Sequence, residues 1–167
     1  MYPYNRKTQP APIIAKEKPA LSADRRLQEL LQNAKQEAAA LEQKYTALLQ
    51  EELLQEAENI LQTIVTDQKK HQRILREILF LVFSGTSEDI PADMETEEAE
   101  SKTAEALLEE LLFTEMDDIT FFRTLLSAVG DTDDLWDLIF EIITDKQNHT
   151  AALNHLYAKY FAKTTGQ

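Results

Sequence analysis

Apolar residues recur every three or four positions along two long stretches of the chain, a spacing that places them on one face of an α-helix. The first stretch runs from residue 22 to residue 83 and contains neither glycine nor proline. One straight helix of that length would extend for about 93 Å, far more than the width of a small domain. The pattern therefore predicts that this stretch folds back on itself or extends into a partner.

A second helical stretch runs from residue 103 to residue 161 and is interrupted by VGDTDD at residues 129–134. Gly130 is predicted to end one helix, because glycine readily takes the left-handed conformation that follows a helix C-terminus. Asp131 or Thr132 is predicted to cap the next helix. This stretch is therefore predicted to form a helical hairpin.

The two stretches repeat one pattern. A shift of 78 residues aligns TDQKKH at residues 66–71 with TDKQNH at residues 144–149. The same shift pairs Glu37 with Glu115, Thr46 with Thr124, Leu48 with Leu126, Ile64 with Ile142, Leu75 with Leu153, Ile78 with Leu156 and Phe83 with Phe161. A duplicated hairpin explains these matches and places the first hairpin's turn near residues 50–53. The predicted fold is all-α, an antiparallel four-helix bundle built from two duplicated hairpins.

Composition divides the chain into a tail and one domain. Residues 1–21 hold four of the five prolines and lack helical periodicity, so we predict a mobile tail or a strap lying on the domain. Residues 22–167 are predicted to form a single domain, with hairpin one at 22–84 and hairpin two at 103–162. The segment between them, 85–102, is acidic and has no apolar face, and it is predicted to be a long crossover.

Charge narrows the classes of partner. The net charge of −13 argues against nucleic acid and against an anionic membrane surface, since both require clustered Lys and Arg. The chain has no cysteine, which excludes disulfides, thiolate metal sites and a Cys nucleophile. No uncharged apolar run approaches the roughly 20 residues of a membrane span, and no signal-type apolar region follows the start. We therefore expect a cytoplasmic protein.

Several polar residues fall on the apolar stripes of the predicted helices. On the second and fourth helices, Gln68, His71, Lys146 and His149 lie in line with Ile64, Leu75, Ile142 and Leu153. Glu37 and Glu115 occupy the stripes of the first and third helices. The sequence thus predicts one buried polar layer of six residues, whose charges need partners because an unpaired buried charge costs several kcal/mol. Its predicted members are Glu37, Gln68, His71, Glu115, Lys146 and His149.

Other polar and aromatic residues are expected to have ordinary structural roles. Asp67 and Asp145 flank the stripes, and the pair Lys69-Lys70 and His155 are expected at the surface. Aromatic residues at helical spacing are expected in the core, namely Phe121, Phe122 and Trp136.

The second half, from ALLEELLFTEMDDITFF to DKQNHTAALNHLY, resembles the ferritin-like superfamily and in particular its rubrerythrin-like four-helix bundles. The resemblance covers roughly residues 25–166. It implies that each hairpin supplies one metal-binding Glu from its first helix and a Glu-x-x-His motif from its second, and that together these hold two iron or manganese ions. Glu37 and Glu115 match the first-helix glutamates, and His71 and His149 match the histidines. Gln68 and Lys146 replace the two bridging glutamates.

The replaced glutamates leave three interpretations open. In the first, the polar layer is metal-free, with Lys146 paired to Glu115 or Glu37 and Gln68 hydrogen-bonded to a carboxylate. In the second, Glu37, His71, Glu115 and His149 hold a single Fe, Mn or Zn ion. In the third, a dinuclear site persists.

Two functions of different classes follow. The first is a non-catalytic scaffold or interaction protein that descends from a di-metal oxidase and self-associates as a homodimer. The alternative is a metal-dependent redox or metal-storage protein with a rearranged Glu/His site. The Tyr-Pro-Tyr start and the Thr-Gly repeat ends also resemble ferritin-like proteins of spore-forming bacteria, which suggests a third hypothesis, a spore-associated structural role.

Overall fold

The computed structural model describes residues 23–83, 102–129 and 133–162, and these ranges contain four α-helices and no strand. The helices are α1 Ala23–Leu48, α2 Glu58–Phe83, α3 Ala104–Val129 and α4 Asp133–Tyr160. A short 3₁₀ helix, Glu52–Ala57, connects α1 to α2. The predicted all-α class is confirmed.

The turn of the first hairpin forms without glycine or proline. The chain tightens after Leu48, where the amides of Gln50 and Glu51 donate to carbonyls three residues back at 3.0 and 3.1 Å. Leu54 and Ala57 on the 3₁₀ helix are each 1% exposed, so their burial holds the turn against the bundle. The predicted turn near residues 50–53 is confirmed, and the first stretch is not one continuous helix.

The start of α3 lies one residue after the predicted position. Thr103 precedes the helix, and its hydroxyl oxygen accepts a hydrogen bond from the Ala106 amide at 3.2 Å, which satisfies one of the free N–H groups of the first turn. The caps predicted at Gly130, Asp131 and Thr132 lie outside the described residues. So do the predicted tail and almost all of the predicted crossover.

The four helices pack mainly in two pairs. α1 packs mainly on α2 and α3 mainly on α4, and smaller contacts join α2 to α4 and α1 to α3. Between α2 and α4 the partners run in opposite chain order, because Asp67 contacts His149 and His71 contacts Asp145. The middles of α2 and α4 therefore lie against each other.

Two apolar clusters fill the bundle, one on each side of its middle. The first contains Leu41, Tyr45, Leu48, Leu54, Ala57, Leu61, Ile64, Val65, Leu108, Leu111, Leu153 and Leu156. The second contains Leu31, Ala38, Ile74, Leu75, Ile78, Leu79, Phe122, Leu125, Ile139, Ile142 and Ile143. On α2, α3 and α4 the residues between these clusters are polar, and they form the layer described below.

The aromatic residues only partly follow the prediction. Phe122 is buried and Phe121 is partly buried against the second cluster, but Trp136 is 39% exposed, so its predicted place in the core is wrong. The physical reason is that Leu135, Leu138, Ile139 and Ile142 already supply the core face of α4. Within the described residues, no helix has the length and apolar character needed to cross a membrane.

Candidate functional site

A buried polar layer lies between the two apolar clusters. Gln68, His71, Glu115, Lys146 and His149 are each between 0% and 2% exposed, which confirms five of the six predicted members. Glu37 is exposed, and its neighbour Ala38 is buried instead, so the predicted burial of Glu37 is wrong. The pKa of Glu37 is nevertheless raised, by desolvation and by the nearby carboxylate of Asp118. Asp118, which is 8% exposed, joins the layer one turn after Glu115.

The carboxylate of Glu115 is the centre of the layer. Its Oε1 accepts hydrogen bonds from the Tyr45 hydroxyl at 2.7 Å and from Gln68 Nε2 at 2.9 Å. Its Oε2 accepts from Lys146 Nζ at 3.1 Å. Burial alone would raise the pKa of Glu115, but His149, Lys146 and Tyr45 together lower it to about 2. Glu115 is therefore a buried, ionised carboxylate whose two oxygens are both engaged.

The ammonium group of Lys146 neutralises this charge from within the protein. Its Nζ lies 2.5 Å from Asp118 Oδ2 as well as 3.1 Å from Glu115 Oε2, and the side chain is 2% exposed. Burial alone would lower the pKa of Lys146, but the two carboxylates raise it above its ordinary value. Burial raises the pKa of Asp118, against the opposing effect of Lys146. One cation thus bridges two carboxylates of α3.

Removal of the Tyr45 hydroxyl tests how much a single donor contributes to this centre. Tyr45 is 0% exposed, and burial and the adjacent Glu115 raise its pKa well above its ordinary value, so it acts only as a donor. We expect Tyr45→Phe to lower the free energy of unfolding by about 1.5–3 kcal/mol, since it removes a hydrogen bond to a buried charge. Urea titration measures this.

Tyr157 provides the matched control for that variant. Its hydroxyl lies 3.4 Å from Glu105 at the surface, so Tyr157→Phe is expected to change stability by less than about 0.5 kcal/mol. Equal effects of the two substitutions would contradict the role assigned to the Tyr45 hydroxyl.

Two Asp–His pairs cross between the hairpins. His71 Nε2 lies 3.0 Å from Asp145 Oδ2, and His149 Nε2 lies 3.1 Å from Asp67 Oδ2. Asp67 and Asp145 are repeat mates, as are His71 and His149, so the two contacts are related by the internal duplication. The aspartates that flank the predicted stripes therefore orient the histidines of the opposite hairpin.

Lys70 covers the two pairs from the solvent side. Its Nζ lies 2.6 Å from Asp145, 3.1 Å from Glu141 and 3.5 Å from Asp67. Burial would lower the pKa of Lys70, but the hydrogen bonds to Asp145 and Glu141 raise it above its ordinary value. Lys70 was expected to be an ordinary solvated residue, whereas it is a bridge between the two duplicated aspartates.

The inner edges of the histidines carry atoms without a hydrogen-bond partner. Because a carboxylate only accepts, each Nε2 carries the proton donated to its aspartate. Burial, followed by the charge of Lys146, outweighs Asp145 and lowers the pKa of His71. Both Nδ1 atoms and Gln68 Oε1 are buried and unpartnered, and the ring centroids of the two histidines are 5.9 Å apart. His149 Nδ1 lies 3.5 Å from Glu115 Oε1, and through this long contact His149 lowers the pKa of that carboxyl.

Neither a family model nor a curated protein nor a solved structure matches the chain.

A dinuclear metal centre of the kind that the ferritin-like resemblance implies does not fit these residues. Lys146 brings a positive charge to the carboxylate that would bind metal, and both oxygens of Glu115 accept hydrogen bonds from the protein. Glu37 lies at the surface. Among residues 23–83, 102–129 and 133–162, no three His, Asp or Glu side chains are grouped so that they could hold a metal ion. Metal binding by Glu37, His71, Glu115 and His149 stays a prediction.

Acid is expected to weaken the layer in a defined pH range. The pKa values of Glu115 and Asp145 are both lowered to about 2, from 4.5 and 3.8. For Asp145, burial opposes the shift, and His71 and Lys70 cause it. A carboxyl group whose pKa is lower in the folded state stabilises the fold above its unfolded pKa and loses that contribution as pH falls. Stability is therefore expected to drop between about pH 4.5 and pH 2.

Urea titrations from pH 7 to pH 2.5 measure this loss. Glu115→Gln is expected to flatten the dependence of stability on pH below 4.5, because it removes a titrating group of the centre. Glu52→Gln, at an exposed position on the 3₁₀ helix, serves as the control and should retain the wild-type dependence. If the Glu115 variant keeps the full wild-type slope, Glu115 does not supply this stability.

Proposed function

We propose that this chain is a ferritin-like bundle that works without a di-metal centre, as a scaffold or interaction protein and not as an oxidase. One observation carries the proposal: Lys146 Nζ lies between Glu115 and Asp118 in the middle of the bundle, at 3.1 and 2.5 Å. A protonated lysine there supplies the positive charge that two carboxylates need in a dry interior. The ammonium group of Lys146 then supplies the positive charge that metal ions would otherwise supply.

The ferritin-like topology is part of the proposal, and three observations support it. The chain pairs α1 with α2 and α3 with α4, as two duplicated hairpins require. The contacts between α2 and α4 run in opposite chain order. The polar layer also lies in the interior of the bundle, where such bundles build their sites, on the facing sides of α2, α3 and α4.

The proposal predicts that added metal ions do not change the stability of the protein. We expect the melting temperature of the purified chain to stay within about 1 °C when Fe(II), Mn(II), Zn(II) or a chelator is added, because an ion that does not bind the folded state cannot stabilise it. Differential scanning calorimetry under anaerobic conditions measures this, with elemental analysis of the same sample. Two equivalents of iron per chain, together with oxygen-dependent oxidation, would contradict the proposal.

A single-metal protein is the second candidate, and one observation favours it. Histidines that bind metals almost always donate their other ring N–H to a carboxylate or carbonyl, and His71 and His149 both do so. Their Nδ1 atoms are buried and unpartnered. The calorimetric experiment separates the two candidates, since a single-metal protein would melt at a higher temperature with one of these ions and would lose that response in Glu115→Ala.

Self-association as a homodimer and a cytoplasmic location belong to the same proposal. Exposed large apolar side chains on α2 and α3 support the first, namely Phe80, Leu81, Phe113 and Met116. Exposed apolar side chains of this size are common at the surfaces by which proteins associate.

A further inference from the structure

An exposed pair of stacked aromatic rings lies in the first two turns of α4. Trp136 and Phe140 are one helical turn apart, their ring centroids are 4.7 Å apart, and their planes differ by 12°. The two side chains are 39% and 47% exposed. They therefore form an exposed apolar surface on the outside of the bundle, here called the platform, and nothing in the described chain covers it.

The platform lies at the end of the bundle where α1 begins. Leu27 on the second turn of α1 and Leu135 and Leu138 at the start of α4 all pack against the same apolar cluster. The chain that precedes Ala23 is consequently attached to the same end of the molecule as Trp136. Eleven residues separate position 12 from position 23, and an extended proline-rich chain of that length spans roughly 34 Å. α3 contacts both α1 and α4, and the axes of helices in contact are about 8–10 Å apart, so α4 lies within roughly 20 Å of α1 and within reach of this segment.

The composition of the preceding segment complements the platform. Residues 10–18, PAPIIAKEK, combine two prolines and two isoleucines with two lysines. Proline-rich segments bind aromatic-lined surfaces at low entropic cost, because they are already close to the extended conformation in which they bind.

The charge of the preceding segment is also opposite to that of the surface around the platform. Residues 1–22 contain four Lys or Arg and one Glu, so they carry +3 of a total of −13, and the rest of the chain carries −16. Two exposed acidic residues lie beside the platform on α4: Asp137, which follows Trp136, and Glu141, which follows Phe140 and pairs with Lys70 of α2. Residues 133–145 contain no Lys or Arg. A basic segment is thus attracted to this face of an acidic domain.

We infer that residues 10–18 dock on the Trp136–Phe140 platform of their own chain. The prolines and isoleucines cover the stacked rings, and Lys16 and Lys18 lie toward Asp137. This inference does not depend on the proposed metal-free centre, because the platform lies outside the buried layer.

The chain contains one tryptophan, so the fluorescence of Trp136 reports directly on the platform. In the full chain we expect a blue-shifted emission and slow quenching by acrylamide. Ile13→Ser/Ile14→Ser should shift the emission to longer wavelength and raise the quenching constant at least about twofold, since it releases a half-exposed ring to solvent. Lys16→Glu/Lys18→Glu should act in the same direction, less strongly at high salt. Tyr2→Ser/Tyr4→Ser, outside the docking segment, is the matched control and should leave both readouts unchanged.

Identical emission and quenching in the wild type and in both segment variants would overturn the inference. The helical content of each variant is checked by circular dichroism, and because the substitutions lie outside the four helices, the bundle itself is left intact. The measurement is repeated over a hundredfold range of protein concentration. A difference between wild type and variant that is independent of concentration supports docking within one chain. A difference that disappears on dilution would overturn it in favour of a segment supplied by a second copy.

Discussion

Lys146→Met is expected to lower the free energy of unfolding by about 3–5 kcal/mol, because it removes one partner of a buried ion pair and leaves the other uncompensated. Methionine keeps most of the volume of the lysine, so the loss reports charge and not a cavity. Glu115 and Asp118 would remain in the interior, at 0% and 8% exposure, without the ammonium group that bridges them. Chemical denaturation at pH 7 measures the effect.

A surface ion pair on the same bundle provides the control. Lys44 Nζ lies 2.7 Å from Glu110 Oε1, a shorter contact than that of Lys146 with Glu115, but its side chain is 39% exposed. Lys44→Met is expected to cost no more than about 1 kcal/mol, since solvent screens the pair. If both variants lose the same stability, burial is not what makes the Lys146 contact matter.

The double variant Lys146→Met/Glu115→Gln distinguishes a charge network from general damage to the core. Neutralising Glu115 removes one charge that the single variant leaves behind, so we expect the double variant to be more stable than the sum of the two single effects predicts, by at least about 1 kcal/mol. Additive effects would indicate that Lys146 and Glu115 stabilise the bundle independently, and would contradict the role of Lys146 as the internal counter-charge.

The duplicated sequence explains why so much of this layer was predictable. Gln68, His71, Lys146 and His149 recur at the same place in each half, and periodicity alone puts them in line with buried residues such as Ile64 and Ile142. A repeat limits the alternatives, since both halves must satisfy the same packing. The first turn was found in the same way, from its alignment with VGDTDD, although residues 49–57 contain no glycine or proline.

Glu37 marks the limit of that reasoning. On α1 the apolar positions allow two neighbouring stripes, one through Leu30 and Glu37 and one through Leu31 and Ala38. The bundle buries the second, with Leu31 at 1% exposure and Leu30 at 41%. The choice depends on how α1 rotates against α2 and α3, which is a tertiary effect and leaves no local signal.

Tyr45 and Asp118 were not predicted because the repeat gives no indication of them. A shift of 78 residues pairs Tyr45 with Arg123 and Asp118 with Ala40, so neither stands out as a duplicated polar position. Both nevertheless complete the hydrogen bonds of the Glu115–Lys146 centre. The spacing of Asp118 three residues after Glu115 was the one available clue, because residues at i and i+3 share a helix face. Polar residues that satisfy a buried charge follow from three-dimensional packing and are the hardest part of a site to infer from sequence.

Gln68→Glu/Lys146→Glu is expected to turn the bundle into a protein that needs metal. The variant places carboxylates at the two positions where the ferritin-like resemblance expects bridging glutamates, and it removes the internal cation. Without metal the layer would hold four neighbouring carboxyl groups with no ammonium partner inside the layer, so the variant is expected to be less stable than Lys146→Met. Fe(II), Mn(II) or Zn(II) at a hundred times its dissociation constant should then restore about 2.7 kcal/mol, or roughly 5–11 °C in melting temperature.

The control for this experiment is Lys146→Gln, which removes the same cation without adding a carboxylate. It should melt below the wild type and show no response to metal, because two histidines and one glutamate remain where two bridging carboxylates are missing. Calorimetry in the presence of each ion and of a chelator, with refolding in both conditions if the variant is unfolded without metal, gives the comparison. If none of the three ions raises the melting temperature of the variant with both glutamates, the helices are not spaced for a dinuclear centre. The ion pairs of Lys146 with Glu115 and Asp118 would then compensate buried charges without any relation to a lost metal site.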